Sequence, residues 1–500
     1  MKTLVSINKK INLMKIVLLN PPFIKKFSRP QRSPAVTKSG TLYFPMWLAY
    51  AAGVLSENGF EVDFVDAPAD GYSPDDIIKR VRESQPALII LDTSTPSIYN
   101  DVAVACQLKE ICPSSFITLV GTHVSALPEE TLNIDKRVDA IARYEYDYTL
   151  LDLAKTLESQ GNLRNVSGLS FREGNNIIHN PGRSYIENLD ELPFVSKVYK
   201  KFLKIENYFN PNALYPMVTI TTSRGCPFPC TFCVYPQTLM GRGFRVRSVE
   251  NVVAEMEYIV ENFPQTKAVF FEDDTMTVNK NRCKELAERI LQKSVKISWT
   301  ANARVGLDYE TMRAMKKAGC RSFCVGFESG SQKILDNMKK KSKLEEMESF
   351  MINARKAGIL IHGCFMAGLP GETKETLQET LELAKRLNPD TVQFYPVMVY
   401  PGTEAYAWYK ERGLISTSDY KQWITQEGLH NTVISTDTLS SEELVRFCDH
   451  ARRAFYLRPS YLFYKAKQML LSPREIRRTF KSARTFFKYL IRGSDLPEKA

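Results

Sequence analysis

Between residues 14 and 155, short apolar runs alternate with amphipathic stretches. KIVLLN (15–20) leads into a helical pattern from Pro45 to Gly59. FEVDFVDA (60–67), a helix over 74–84, ALIILDTST (87–95), a helix over 99–111 and FITLVG (116–121) follow, and apolar character returns at Val138–Ala142. Strand-period and helix-period segments in strict alternation predict a parallel sheet covered on both faces, a Rossmann-like (flavodoxin-like) α/β domain over 14–155. The loops after its strands are rich in Pro, Gly, Ser and Thr, where such a sheet opens its ligand crevice. The rhythm breaks over 160–215. GLSFREGNNIIHN reads as a hairpin and SYIENLDELPF as a connecting segment, so 156–212 is expected to link two domains. From Met217 the alternation resumes, with strands near 217–222, 267–272, 296–301, 321–327, 359–366 and 391–398 and helical patterns such as Val249–Asn262 and Thr373–Leu387. Six βα units predict a partial or open βα barrel over 213–415, with its site at the strand C-termini. Strands stop beyond about Tyr420, and 416–500 is expected to be a helical extension.

Composition adds limits. The chain is 44% apolar and 25% charged with a mean hydropathy of −0.26, as in an ordinary soluble protein. No apolar run approaches the roughly 18 residues that span a bilayer. The first 13 residues lack an apolar core and a cleavage site, so a signal peptide is not expected and the ten cysteines point to a reducing cytoplasm. Of the net charge of +11, residues 451–500 carry +10, from 13 Lys/Arg against 3 Asp/Glu. The body is therefore nearly neutral. That excludes a general nucleic-acid binder and predicts one local basic contact.

The candidate chemistry centres on Arg224-Gly225-Cys226-Pro-Phe-Pro-Cys230-Thr-Phe-Cys233, just after the first barrel strand. Three thiols on one loop allow two readings. One is a structural zinc site, which needs a fourth ligand from afar, since His179 and Cys283 are the nearest candidates. The other is a 4Fe–4S cluster with three irons held by cysteine and one left open. The loops behind the other barrel strands are polar or Gly-rich: Phe271-Glu272-Asp273-Asp274, Asn302-Ala303-Arg304, Gly326-Phe327-Glu328, Gly368-Leu-Pro-Gly371-Glu372 and Tyr400-Pro401-Gly402-Thr403. Alone each has a plain alternative. The acidic pair suits a helix N-terminus, Arg304 suits an ion pair, and Cys320, Cys324 and Cys364 suit a barrel core as small apolar residues, unless one donates a hydrogen atom or acts as a nucleophile.

In this order behind the triplet, the loops resemble those of radical S-adenosylmethionine (SAM) enzymes. The chain as a whole resembles the class in which a cobalamin-binding (B12) domain precedes the barrel. The resemblance implies that Cys226, Cys230 and Cys233 hold the cluster, whose open iron binds SAM for reductive cleavage. It further implies that Phe232 flanks the adenine, Asp273 or Asp274 accepts from the methionine ammonium, and Arg304 pairs with the methionine carboxylate. Glu328 would meet the ribose hydroxyls and Gly368 would let backbone approach the adenosine. In the first domain, Asn20-Pro21-Pro22, Thr93 and Ser94 in the Asp92–Thr95 run, and Gly121-Thr122-His123 stand where the family wraps cobalamin. Glu145 joins this set, although Tyr144 before it replaces the usual glycine. The DxHxxG motif is missing, so a lower-face histidine ligand is not expected and His123 reads as a hydrogen-bonding loop residue.

Tyr43–Ala49, the Asp92–Ser97 loop and Cys233-Val-Tyr-Pro-Gln237 resemble hopanoid-biosynthesis radical SAM proteins. That resemblance implies rearrangement or cyclisation of a polyol or sugar-like headgroup, on a hopanoid or other isoprenoid lipid. Two rivals stand beside it: a cobalamin-dependent C-methyltransferase, and an iron–sulfur or cobalamin sensor without turnover. The implied partners are a small-molecule or lipid-headgroup substrate and an electron donor such as flavodoxin or ferredoxin, and no nucleic acid. In 472–493, Ile476, Phe480, Ala483, Phe487 and Leu490 fall on one helical stripe among basic residues. This predicts either peripheral membrane contact through 451–492 or a helix packed on the barrel.

Overall fold

The computed structural model describes residues 13–471 and 493–494. The stripe over 472–492 lies outside the described residues.

Seven strands form the first sheet: β1 (Lys15–Asn20), β2 (Glu61–Asp66), β3 (Leu88–Thr93), β4 (Phe116–Gly121), β5 (Ala140–Ala142), β6 (Leu169–Glu173) and β7 (Asn176–His179). Their order is β2-β1-β3-β4-β5-β6-β7, with the first five parallel and the last two antiparallel. All six residues of β3 are buried, as a strand covered by helices on both faces requires. The strand order reverses between β1 and β3, which opens a crevice beyond their C-terminal ends. The hairpin foreseen in the connecting segment is not free-standing. β6 pairs with β5, Ala142 opposite Leu169, so the sheet continues into the region expected to be linker. A helix, Val195–Phe202, follows there too.

The second sheet is all parallel. It comprises β8 (Met217–Ile220), β11 (Ala268–Phe271), β12 (Ser298–Ala303), β13 (Cys320–Glu328), β14 (Leu360–Ala367) and β15 (Thr391–Pro396), while β9 (Ser223–Arg224) and β10 (Arg245–Val246) make a separate two-residue ladder. β8 and β15 are the two edges of the six-stranded sheet, so the barrel is open. Helices close its outer face. Phe323 packs on Phe350 of the helix Leu344–Ala357, and Phe394 packs on Phe447 of the helix Ser441–Tyr456. Between Gly413 and Ser440 the chain is irregular, apart from a short turn at Tyr420–Trp423 and two isolated bridges. Helix begins only at Ser441 because the preceding stretch, rich in Ser and Thr, has no apolar stripe of helical period. Among the described residues no helix is long and apolar enough to cross a membrane.

One apolar core runs through both sheets, from Ile16 to Tyr461. A buried ion network crosses between them. Arg224 Nη1 donates to Glu145 Oε1 and to Asp147 Oδ2, each at 2.8 Å, and its guanidinium lies 4.6 Å from the Tyr50 ring centre. Glu145 Oε2 accepts from Arg245 at 2.7 Å and from the Ile186 amide at 2.7 Å. None of the three side chains Arg224, Glu145 and Asp147 is more than 4% exposed. Truncating one member strands a buried charge, at a cost of about 3–5 kcal/mol. Asp147→Ala is therefore expected to destabilise the protein by that order, read from denaturant unfolding.

Candidate active site

The cysteine loop is held from several sides. Gly225 has φ +81, and a Cβ there would meet Gly243 O at 2.1 Å, so only glycine lets the chain pass the turn that precedes β10. Cys226 N–H donates to Gly241 O, Arg242 donates to Phe228 O at 2.7 Å, and Thr231 N–H donates to Met338 O at 3.1 Å. Gln237 donates to Cys233 O at 2.8 Å, and Ala405 N–H donates to Thr231 O. Elements after β13 and β15 thus clamp a loop that begins after β8.

Cys226, Cys230 and Cys233 are free thiols. Among the described residues no three His, Cys, Asp or Glu side chains converge on a single-ion site. A zinc ion would draw each thiolate to about 2.3 Å of one centre, whereas a cubane spreads them over three irons. Burial, then the Asp274 carboxylate, pushes the Cys233 thiol up, against the opposing pull of Arg32.

The charged residues around the loop divide into two groups. Asp273 turns away from the barrel mouth. It accepts from Thr222 N–H at 3.0 Å, Thr222 Oγ1 at 2.8 Å and Ser223 Oγ, bracing the root of the cysteine loop. Asp274 and Glu272 instead face Arg32, which reaches over from the loop after β1. Its Nη1 donates to Glu272 Oε1 at 2.5 Å and its Nη2 to Asp274 Oδ1 at 3.1 Å, with the Tyr235 ring 5.0 Å from the guanidinium. Arg304 lies 3.7 Å from the Phe228 ring centre, 3.8 Å from Cys230 Sγ and 3.0 Å from Ser342 Oγ, and it also donates to Lys340 O. Glu328 Oε1 accepts from Lys340 Nζ at 2.7 Å while its Oε2 is buried without a partner. Lys340 Nζ is 6.0 Å from the Phe232 ring.

Gly368 differs from its expectation. Its open side faces Leu444 and Ile434, and its amide donates to Glu372 Oε2, so its packing partner is the C-terminal region. The reason is that the helix Ser441–Tyr456 folds back over this turn, which local sequence cannot reveal. Arg32 and Lys340 were missed, and Glu272 was read only as part of its polar loop. Lys340 sits in the run Lys339-Lys-Lys341, which reads as a solvated patch, and Arg32 lies in a loop without periodicity.

In the first domain the candidate residues gather at the ends of β1, β3 and β4. Asn20 and Pro21 are engaged internally: Arg29 Nη1 donates to Asn20 Oδ1 at 2.9 Å and to Pro21 O at 2.6 Å, while Asn20 Nδ2 donates to Asp66 at 2.8 Å. Glu145 is likewise spent on the ion network, not turned toward the crevice. Thr93 Oγ1 donates to Val120 O, and Ser94 Oγ pairs with Ser97 Oγ at 2.7 Å. Gly121 has φ +122, and a Cβ there would meet Thr93 O at 2.4 Å, so the β3 and β4 loops touch only because it has none. Thr122, half-buried, opens the short helix Thr122–Ala126. Tyr144 keeps the left-handed backbone a glycine would take, φ +59, its amide donating to Ser125 Oγ at 2.8 Å. His123 is 1% exposed. Its Nδ1 pairs with Thr95 Oγ1 at 3.1 Å, and its Nε2 is buried without a partner. Burial pushes the imidazole down to about 3, so it is neutral near pH 7. The orphan Nε2 and the Thr and Ser hydroxyls beside it fit a bound polar cofactor, as Glu328 Oε2 fits a ligand bearing hydroxyls.

The model of the radical SAM superfamily matches residues 220–384, and that of the B12 binding domain matches residues 32–154. An uncharacterized methyltransferase of Pyrococcus horikoshii is 31% identical over 453 residues, covering 90% of this chain and 94% of that protein. The anaerobic magnesium-protoporphyrin IX monomethyl ester cyclase of Cereibacter sphaeroides is 27% identical, over 84% of this chain and 68% of its own. The hopanoid C-3 methylase of Methylococcus capsulatus is 24% identical, over 77% and 72%. Among solved structures, the cobalamin-dependent SAM radical enzyme OxsB, with aqua-cobalamin and SAM bound, superposes with a TM-score of 0.69 at 19% identity, over 98% of this chain and 74% of that one. That likeness concerns the fold. The chain belongs to the cobalamin-binding radical SAM enzymes, and its cofactors are a 4Fe–4S cluster, SAM and cobalamin.

Asp66 supplies a pH test of the crevice. Burial pushes its carboxyl from 3.8 up to about 7, against hydrogen bonds from Tyr208 and Asn20. A carboxyl raised on folding adds stability that is fully present below about pH 4 and lost as pH rises through about 7. Asp66→Asn is expected to flatten that part of the profile, measured as unfolding midpoint against pH.

Proposed function

We propose that this enzyme is a cobalamin-dependent radical SAM C-methyltransferase acting on a small organic molecule or headgroup. The observation that carries this reading is the relation to a methyltransferase along 90% of the chain. Methyl transfer is therefore favoured over the rearrangement or cyclisation of a polyol headgroup expected from sequence. The relation to an anaerobic cyclase keeps ring closure as a second reading. The hopanoid assignment rests on one more distant relative.

The geometry suits a relay between two cofactors. Gly402, after β15, packs against Ala126 of the cobalamin-domain helix and against Thr238, which follows the cysteine loop. Arg32 reaches from the first domain to the acidic pair at the barrel mouth. The region of the cluster and the cobalamin-domain loops therefore adjoin directly. In this reading Cys226, Cys230 and Cys233 hold the cluster, Asp274 accepts from the methionine ammonium, and Arg304 pairs with the methionine carboxylate. Glu328 Oε2 accepts from the ribose and Phe232 lies against the adenine. Thr93, Ser94, Thr122 and His123 line the cobalamin crevice. When bound, cluster and SAM supply a carbon radical by hydrogen abstraction, and cobalamin carries the methyl group. The protein residues position these groups and exclude water. An electron donor of flavodoxin or ferredoxin type is required because the cluster must be reduced. The outward Leu462 and Phe463, 53% and 74% exposed on the helix Pro459–Leu471, support peripheral membrane contact.

The reconstituted enzyme is expected to form a product heavier by one methylene, with the deuterium label of methyl-deuterated SAM retained in it. A product of unchanged or lower mass, by mass spectrometry, favours rearrangement or ring closure instead. Glu328→Ala is expected to weaken SAM binding roughly tenfold, about 1.4 kcal/mol, in equilibrium dialysis of the cluster-loaded protein.

A further inference from the structure

The body of the chain is nearly neutral as a whole, yet residues 333–343 hold Lys333, Lys339, Lys340, Lys341 and Lys343 against the single acid Asp336. The fold sets this basic run directly against the cysteine loop. Thr231 N–H, between two of the thiols, donates to Met338 O at 3.1 Å. Arg304 donates to Lys340 O and, at 3.0 Å, to Ser342 Oγ, while its guanidinium lies over the Phe228 ring. Lys339 and Lys341 both take left-handed backbone, φ +56 and +54. Between them Lys340 points inward to Glu328, and the flanking pair stays exposed. From another side Arg242 donates to Phe228 O at 2.7 Å.

What these cations surround is the tip of the cysteine loop. Pro227 is the one exposed residue from Arg224 to Cys233, and Phe228 and Pro229 beside it are half-buried. The other flanks of the loop are covered. Tyr235 is buried against Trp47 of the first domain, the Arg224 network closes the root, and Gln237 and Ala405 bond the Thr231 and Cys233 carbonyls. Lys341 and Arg242 pair with no carboxylate among the described residues. Lys339 meets Glu404 at 2.5 Å, but both side chains are about half exposed, and water screens such a pair. An apolar centre with a charged rim is the anatomy of a transient protein contact, and a rim of one sign selects a partner of the other.

We propose that the Pro227–Pro229 tip with Arg242, Lys339 and Lys341 is the docking surface of the electron donor, and that it takes a small acidic one-electron carrier of flavodoxin or ferredoxin type. This deepens the reading above that such a carrier reduces the cluster, and rests on it. The carrier loses one electron and the cluster gains it, with no bond made or broken. Electron transfer weakens steeply with distance, so the carrier must seat its redox centre where the cysteine loop itself reaches the surface. An acidic carrier supplies the countercharge that Lys341 and Arg242 lack, and steering by that charge raises its rate of association. A bilayer would need outward apolar bulk here, whereas the tip offers one exposed proline and a phenylalanine covered by Arg304.

Anaerobic stopped-flow mixing of the enzyme, loaded with cluster and cobalamin, with reduced flavodoxin tests this through flavin oxidation and cluster bleaching. The second-order rate is expected to fall steeply once salt shortens the screening length to about 10 Å. Lys339→Gln/Lys341→Gln is expected to lower that rate roughly fivefold or more at low salt, and to weaken binding of oxidised flavodoxin in flavin fluorescence anisotropy by a similar factor. Photoreduction by deazariboflavin, a small neutral reductant that needs no docking, is expected to be unchanged. Lys79→Gln/Arg82→Gln, which removes the same charge from the helix Pro74–Ser84, is expected to leave the flavodoxin rate unchanged. Should the double variant fail to load its cluster, Lys341→Gln alone decides, with a roughly twofold loss expected and an unchanged rate overturning the proposal. A flavodoxin rate indifferent to Lys339→Gln/Lys341→Gln, or lowered equally by the distant pair, overturns the docking surface and leaves reduction by a carrier standing. Wild-type enzyme that deazariboflavin reduces, but neither flavodoxin nor ferredoxin does, overturns both. Phosphatidylglycerol vesicles that bind the wild type and not the variant, with an unchanged flavodoxin rate, assign the patch to a membrane instead.

Discussion

The Arg224 network is the constraint on which the site's construction depends. Arg224 stands two residues before Cys226, and its guanidinium is buried between Glu145 and Asp147 of the other domain. Removing so much charge from water is expensive, and the arrangement survives only because every member is matched and hydrogen-bonded. It yields little net stability for that expense. What it supplies is position: the root of the cysteine loop is tied to the loop after β5, so that loop and the crevice of the first sheet are held in one frame. The Tyr50 hydroxyl, 3.1 Å from Thr221 Oγ1, makes a second tie along the same seam.

Arg32 forms another crossing, at the barrel mouth. Unlike Arg224 it is partly exposed, and one of its two carboxylates keeps an unpaired oxygen. The two arginines therefore do different work. One is enclosed in a buried network that spans the two sheets, while the other joins two carboxylates at the barrel mouth. The same contrast separates Asp273, saturated by Thr222 and Ser223, from its neighbours Glu272 and Asp274 in a run of three acids.

Much of the fold was legible along the chain. Alternating period-2 and period-3.6 segments gave both sheets, and the cysteine spacing with ordered loops behind it gave the enzyme class. Roles within the loops were less legible. Asn20, Glu145, Asp273 and Gly368 all lie in motif positions, yet Arg29, Arg224, Thr222 and Leu444 engage them from 9, 79, 51 and 76 residues away. A motif reports which residue types are present. It does not report which partner arrives first. The same blindness hid Arg32 and Lys340, whose local surroundings read as a loop and a solvated basic run.

Sequence alone determined the periodicities, the element order, the three thiols and the concentration of charge at the C-terminus, because each is a local property of the chain. Tertiary structure decided which acids are saturated by neighbours, which one keeps a free oxygen and where the domains are tied. Those outcomes depend on register between strands and on desolvation by distant segments. A carboxylate in a motif has no defined partner until the fold has excluded water from one side of it and brought a cation to the other.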